Sequence, residues 1–597
     1  IACLRENQFF AVVASSGRSG EKVIGLGSDE AGRLWAMHEN GSVSRVGEDF
    51  AIPSMIDDEH PGLMSWSRAE DGRILVMENN LGARLEDGRL VPIDLPAPSY
   101  HNYIEGIAPA AGGGAWVLYD RRIRKLEGSR WTEDRGSFPW THATVARCLE
   151  LSDGTLAVGT VHAGLYLIFG DGRPPVSFDR SNGLPQNWIR FLYQDREGTL
   201  WVGAGSSGLV SINPSAFSRL EAPDQWRGTS ALALAAGRDG SLWIGTDGAG
   251  LYHYDGESWA RYAGDEGLDN PYISAVTETA AGDVWAGNYW WGGPYRLKDG
   301  RFARAAGVPE STSPVLGLLS NGGAAELLVG TRDGVAELVD GGLDWLIKSP
   351  GGIADDVSAL AWDREGALWC GFSQGGLARL ANGRVTVFGR EEGVGSNSVQ
   401  CLFADDEDGS LWIGTADNGL TRYKDGSFVN LGVSHGLADK TICYLLEDDR
   451  GFLWMSTRRG IQRVSKAELN RCADGAIARI TSQSYNGSDG LPVSEFLGGR
   501  QGAGCRTEDG RIWFASSAGP IAVDPDSIQL NPLPPPVAIE SLELDGQSVP
   551  LEADVVPSPF APDHERVEFS FSALSFVAPD KVRFKYRNEG SDNDRRD

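Results

Sequence analysis

The segment GNYWWGGPY (287–295) sets three consecutive aromatic residues, Tyr289, Trp290 and Trp291, where related segments of the chain carry small or polar ones. Three adjacent rings in one short turn cannot all enter a core. Exposed aromatic faces stack on sugar rings, so the pattern points to a carbohydrate or similarly flat, amphipathic ligand. The competing reading is a loop that packs its rings against an adjoining part of the protein. Trp188, Asn187, Asp269, Asn270, Tyr272 and Asn397 lie in short turns that recur along the chain (NGLPQN, EGLDNP, EGVGSN). They are second-rank ligand candidates, since Asn and Asp in turns more commonly cap the local backbone.

Little else in the chain has the spacing of reactive chemistry. The eight His form no H-x-H pair and no HExxH, and the seven Cys include no CxxC, so neither a metal site nor a cofactor is expected. The acidic run DDEDG (405–409) lacks the alternating ligands and closing Glu of a calcium loop. G-x-S-x-G occurs as GFSQG (371–375) and GVSHG (432–436), but both fall in the turns of the repeat described below rather than between a strand and a helix, and there is no phosphate-binding Gly loop. His162, in GTVHAGLY, stands where other repeats carry Asp or Ser; a loop His can serve as a general base, but a lone His of this kind is usually incidental, and no catalytic residue is expected. A glycoside hydrolase would need two convergent carboxylates, whereas nearly every Asp that can be placed falls in a hairpin turn. The formal net charge of −28 repels phosphate backbones and anionic lipid, which argues against nucleic-acid and membrane-surface binding.

The elements that would carry these residues are legible as a repeat. An apolar strand is followed by Asp-x-x-Gly-x-Leu-Trp-x-Gly-Thr, then Gly-Leu and a second polar turn. It reads most cleanly in LYQDREGTLWVGAGSSGLVSI (192–212), ALAWDREGALWCGFSQGGLARL (359–380), LFADDEDGSLWIGTADNGLTRY (402–423) and LLEDDRGFLWMSTRRGIQRV (445–464). Weaker copies carry Trp35, Leu75, Trp116, Ala157, Trp243, Trp285, Leu328 and Trp513 at the anchor position. Successive anchors lie 40 to 44 residues apart until the final step from Trp454 to Trp513, which is 59. Four short strands in a period of about 40–45 residues describe propeller blades. Alternation with period two, broken by Gly every few residues, excludes helical repeats.

Each part of the repeat has a structural cause. The turn Asp caps the hairpin and its Gly takes a positive φ. The anchor fills the space between blades, and the Gly after it admits close backbone approach. Cys148, Cys401 and Cys443 stand at matching positions and are expected in the core. Cys472 and Cys505 could be bridged in an oxidising compartment.

Most repeats are entered through a GL-type turn, but INPSAFSRLEAPDQWRGTS (212–230) lacks one and is read as a junction. Seven anchors follow it and five precede it. The opening residues IACLRENQFFAVVAS resemble the closing strands of another blade, so the first ring is expected to lack its start. The stretch 465–496 is read as an enlargement of the last blade. After a Pro-rich linker (524–536) the repeat stops, and VAIESLELDGQSV and VEFSFSALSF alternate as strands of a separate β-domain. The expected architecture is all-β: two consecutive seven-bladed-type β-propellers, the first incomplete at its N-terminus, followed by a small β-sandwich. The domain limits are 1–222, 223–531 and 532–597.

These repeats resemble the two-component regulator propeller family over roughly residues 1–531, and VEFSFSALSF (567–576) with VRFKYRNEG (582–590) resembles the Y_Y_Y domain that follows such propellers. Where that domain continues with Leu and a later Trp, this chain has Asn588 and a polar tail, so the sandwich is expected to be shortened or altered. The resemblance implies the periplasmic sensing region of an inner-membrane receptor. Such a receptor signals as a homodimer, through a transmembrane helix and a cytoplasmic output module, most often a histidine kinase, that lie outside this sequence. The implied ligand is a small molecule or oligosaccharide. The alternatives are a secreted propeller enzyme acting on polysaccharide, as lyase or glycoside hydrolase, and a protein-binding propeller scaffold.

Overall fold

The computed structural model describes residues 2–5, 8–11, 23–28, 31, 33–38, 43–45, 51–52, 64–68, 73–78, 81–86, 89–95, 104–223, 226, 230–320, 327–340, 342–348, 355–493, 495–528, 531, 533–549, 566–577, 581–582 and 584. The last part of VRFKYRNEG and the altered tail around Asn588 lie outside the described residues. The chain forms two compact units, one of residues 1–213 with 531–597, the other of residues 214–530.

The repeat found in the sequence is an antiparallel sheet in which strands adjacent in sequence are adjacent in space. The turn chemistry explains why it forms. Asp195 Oδ1 accepts the backbone N–H of Glu197 (2.9 Å) and Thr199 (3.0 Å), and Gly198 closes the hairpin at φ 91°. The second carboxylate oxygen accepts the indole N–H of the anchor Trp201 at 2.8 Å. The same bond ties Asp363 to Trp369 and Asp448 to Trp454, both at 2.8 Å. One carboxylate thus shapes the turn and fixes the rotamer of the ring six residues on, a role the spacing alone did not disclose. The DDEDG turn is one residue longer, its Asp405 N–H reaching the Ser410 carbonyl. Trp412 therefore finds no acceptor for its indole N–H, and Asp405 pairs with Lys466 instead.

The cores lie between sheets. Trp116, Trp369, Trp412 and Trp454 are fully buried, Trp35, Leu75, Ala157, Trp243, Leu328 and Trp513 are buried, and Trp201 and Trp285 are half-buried. Trp369 and Leu377 of one sheet pack with Val399, Leu411 and Ile413 of the next. A methyl group at Gly245, Gly287, Gly330 or Gly371 would run into Ile273, Val315, Val357 or Val399, the residue that opens the following sheet. That close approach is what the Gly after the anchor serves.

In the unit of residues 214–530, six four-stranded sheets follow one another from Ala231–Ala236 to Gln483–Tyr485. A seventh combines Gly504–Arg506, Ile512–Ser516 and Gly519–Val523 with Phe217–Arg219, the first strand of the unit, in the register Phe217 to Val523. The segment read as a junction is therefore partly structural. Its Trp226 is also buried, 5.2 Å from Tyr252 and 5.9 Å from Trp259 between ring centres. Most of the stretch 465–496 does not enlarge the last sheet, which it meets through the Phe496–Ser516 bridge at its end. Helix Lys466–Ala473 and strand Gln483–Tyr485 belong to the Trp454 sheet, one before the last. The long step between anchors could fall on either side of the GL turn, and only strand pairing decides which.

The other unit holds four-stranded sheets spanning 23–52, 64–92, 104–137 and 145–178, a three-stranded sheet over 189–212, and a strand pair at 2–11. Its C-terminal part adds a three-stranded sheet of Val537–Leu544, Gln547–Val549 and Val567–Ala573. Cys148, Cys401 and Cys443 are buried as expected, and burial pushes the thiols of Cys148 and Cys443 up to about 12. Cys472 and Cys505 are free thiols. Among the described residues no helix is long and apolar enough to cross a membrane.

Candidate functional site

In sheet after sheet, the loop following the anchor strand is hydrogen-bonded to the turn that opens the next sheet. Gly164 N–H reaches the Asn187 carbonyl (3.0 Å), Gly250 that of Pro271 (2.9 Å), and Gly376 that of Asn397 (2.9 Å). The two loop types named in the sequence therefore meet at one edge of their sheets. In most copies the loop is closed by the Thr of Leu-Trp-x-Gly-Thr. Thr246 Oγ1 donates to the Gly250 carbonyl (2.6 Å) and accepts the Ala249 N–H (3.0 Å). Thr160 and Thr415 do the same.

The aromatic loop departs from this plan. Asn288 replaces the Thr, and its loop is one residue longer, since Gly287 pairs with Pro294 where Gly245 pairs with Leu251. Asn288 is 1% exposed, and neither of its amide atoms meets a partner within the protein. The extra residue lifts the rings outward, with Trp290 48% and Trp291 66% exposed. Gly292 and Gly293, at φ 117° and 75°, make the bend that returns the chain to the sheet.

Tyr289 donates its backbone N–H to the Tyr272 carbonyl at 2.9 Å. Trp290 stands edge-on to both neighbouring rings, 5.3 Å from Tyr289 and 6.4 Å from Tyr272. Tyr272, Tyr289 and Trp290 thus form one aromatic surface, with Trp291 beside it in sequence. Behind it the Arg500 guanidinium lies over the Tyr289 ring at 4.6 Å, within cation–π range. Arg332 pairs with Asp356 at 2.8 Å, which holds its proton more firmly, and Tyr289 is close enough to add to the effect.

The remaining candidates behave as turn residues. Asn270 Oδ1 accepts the Tyr272 N–H (3.0 Å), Asn397 Oδ1 that of Arg390 (2.8 Å), and Asn187 Oδ1 that of Arg180 (2.9 Å). Asp269 is exposed beside Asn270. Trp188, 42% exposed under the Arg190 guanidinium at 4.2 Å, belongs with Asn187 to the other compact unit.

Arg500 was missed by sequence reasoning. It sits in LGGRQGAG (497–504), whose clustered Gly was the available signal. Gly502 accepts the Leu234 N–H (2.7 Å), and Gln501 Oε1 accepts the Leu360 N–H (2.8 Å). Gly502 also neighbours Val276, Gln501 neighbours Gly317, Gly499 neighbours Gln400, and Gly498 abuts Cys443. The five residues 498–502 therefore reach the opening strand or residues of all six other sheets in the unit. Among the described residues no group of His, Cys, Asp and Glu is arranged to hold a metal ion.

The two component regulator propeller model matches residues 183–206 and 393–417. The extracellular domain assigned to the hybrid two component system BT3049 of B. thetaiotaomicron is similar over 96% of this chain and 79% of its own, at 18% identity and a TM-score of 0.67. That likeness is one of fold. The extracellular domain of BT4673 from the same organism covers 96% of this chain and 80% of its own at 18% identity, with a TM-score of 0.43. A streptogramin B lyase structure covers 52% of this chain and 97% of its own at 16% identity, with a TM-score of 0.39. The last two scores carry no argument. A comparison with curated proteins returned no match.

Proposed function

We propose that this chain is the extracytoplasmic ligand-sensing region of a bacterial two-component receptor, non-catalytic in itself and facing the periplasm. The observation that carries the reading is the shared fold with one such extracellular domain along 96% of the chain, together with the regulator-propeller matches. In this reading residues 214–530 form a closed seven-bladed propeller. Two features support closure: the pairing of Phe217–Arg219 with Gly519–Val523, and a central segment that touches all six other sheets. The C-terminal β-domain is the element that relays a change toward a membrane helix and an output module in a homodimer. Ligand binding can drive that relay only by differing in affinity between two states.

The ligand surface is the ring cluster of Tyr272, Tyr289, Trp290 and Trp291, and the ligand class is an oligosaccharide. Supporting it are two half-exposed or more exposed Trp rings held by an irregular loop that replaces a self-satisfied Thr turn. The test is tryptophan-fluorescence titration and calorimetry with a panel of neutral and acidic oligosaccharides. Trp290→Ala and Trp291→Ala are each expected to weaken binding by about two- to tenfold, since stacking on one ring contributes on the order of 0.5–1.5 kcal/mol. Binding that survives both substitutions unchanged refutes this site, and lack of binding by any sugar in the panel refutes the ligand class.

A further inference from the structure

The Asp-x-x-Gly turn of residues 195–198 does something its sister turns do not. Its own geometry is fixed by Asp195, as described above. Glu197, at its third position, gives only its backbone N–H to closing the hairpin, while its carboxylate collects the hydrogen bonds of another part of the unit. Oε1 accepts from Asn531 Nδ2 at 2.6 Å, and Oε2 accepts the Phe576 N–H at 2.6 Å and the Val577 N–H at 3.4 Å. The Ser575 side chain adds a further bond. Beside it the Phe576 ring meets Trp201 edge-on at 5.1 Å and 85°. Trp201 is one of two anchor tryptophans that are only half-buried, so the propeller offers here a face that other sheets keep covered.

The two segments held by Glu197 are the two ends of the C-terminal sheet. Asn531 opens the path into strand Val537–Leu544, and its own Oδ1 accepts the Leu533 N–H at 3.0 Å. Residues 575–577 follow directly on strand Val567–Ala573, and Leu574 N–H returns to the Pro536 carbonyl at 3.0 Å. A single carboxylate therefore clamps both the entry and the exit of this sheet to the propeller. The equivalent Glu365 is instead exposed and pairs with Arg379 of its own sheet at 3.2 Å.

We propose that Glu197 is a releasable latch, which docks the C-terminal β-domain on the 189–212 sheet through its carboxylate and frees that domain when the carboxylate is withdrawn. Charge-assisted bonds to backbone N–H groups are strong and directional, yet they sit on a turn at the surface and are few. A contact of that kind can hold one arrangement of two bodies and still be broken by a modest bias, as hinge-type switching requires. Burial alone would raise the Glu197 pKa, but the bonds from Phe576, Ser575, Asn531 and Val577 outweigh it and hold the group charged. The latch stands independently of which ligand the propeller face takes.

The experiment is hydrogen–deuterium exchange of the whole chain, comparing Glu197→Ala, Glu197→Gln and the control Glu365→Ala. Glu197→Ala is expected to speed exchange of the Phe576 and Val577 amides by at least about tenfold, the loss of a charged acceptor for two donors. Glu197→Gln keeps one neutral acceptor and should fall between. The strands Ile189–Gln194 and Leu200–Ala204 should stay protected in both, and Glu365→Ala should leave 566–577 unchanged. Unchanged exchange at Phe576 and Val577 in Glu197→Ala overturns the latch. Loss of protection throughout 189–212 also overturns it, because Glu197 would then be structural to its own sheet.

Discussion

Asp448 offers the sharpest test of how the repeats hold together. It is 5% exposed and serves three donors: the backbone N–H groups of Arg450 (2.9 Å) and Phe452 (3.0 Å), and the indole N–H of Trp454 (2.8 Å). Trp454 is fully buried and stacks on Tyr485 at 5.9 Å, so its N–H cannot turn to water if the carboxylate is removed. Asp448→Ala thus strands one fully buried donor and leaves two turn amides with poorer partners. At about 1–3 kcal/mol for each buried donor left unsatisfied, less for the amides that solvent can reach, the expected loss is about 3–4 kcal/mol. Asp448→Asn keeps an oxygen for two of the donors and should cost roughly half of that. In a double-mutant cycle with Trp454→Phe, which removes the indole N–H and keeps a ring, the coupling should be about 1.5–3 kcal/mol. The assay is urea unfolding followed by tryptophan fluorescence, with native-state hydrogen exchange of 448–457 to confine the effect to this sheet. A loss below about 1 kcal/mol, or a coupling of zero, would refute the claim that the carboxylate–indole bond fixes the anchor.

Two further outcomes follow from the same accounting. Asn288→Thr restores the residue that closes sister loops and removes two buried amide atoms without partners, so it should raise the unfolding midpoint by about 1 kcal/mol equivalent while Trp290 and Trp291 stay exposed. An unchanged or lower midpoint in thermal unfolding would mean that the longer loop needs Asn288. Lys466 lies among Asp405 (3.1 Å), Glu407 (2.8 Å) and Glu447 (2.7 Å), so Lys466→Met at pH 7 should cost about 2–4 kcal/mol by leaving the carboxylates uncompensated. Burial holds the Glu447 pKa above the ordinary carboxylate range. Its charged form therefore opposes folding above that pKa, and the opposition fades as pH falls through it. The deficit of Lys466→Met should shrink on acidification from pH 7 toward pH 5, and a deficit that grows instead contradicts the assignment.

The blade pattern was legible because its causes are local. A turn Asp, a Gly at positive φ and an anchor ring lie within seven residues of one another, and each copy repeats them whatever surrounds it. For that reason the burial of Trp369, Trp412 and Trp454, and of the repeat cysteines, could be read without coordinates. The aromatic loop was legible as a departure from the pattern, since Tyr289, Trp290 and Trp291 replace small residues.

What tertiary structure alone decided has the opposite character. Pairing of Phe217–Arg219 with Gly519–Val523, seating of Gly498–Gly502 among six other sheets, and placement of Arg500 over Tyr289 join residues from about 55 to about 300 positions apart. The same holds for Glu197 and Phe576. No local spacing records such contacts, because the chain brings them together only when its sheets pack against one another. The sequence by itself determined the repeating unit and the turns that make it, through short-range hydrogen bonding and period-two burial. Which loops face each other, which Glu accepts from Asn531 and Phe576, and which sheet the long insertion joins were decided by how those units pack.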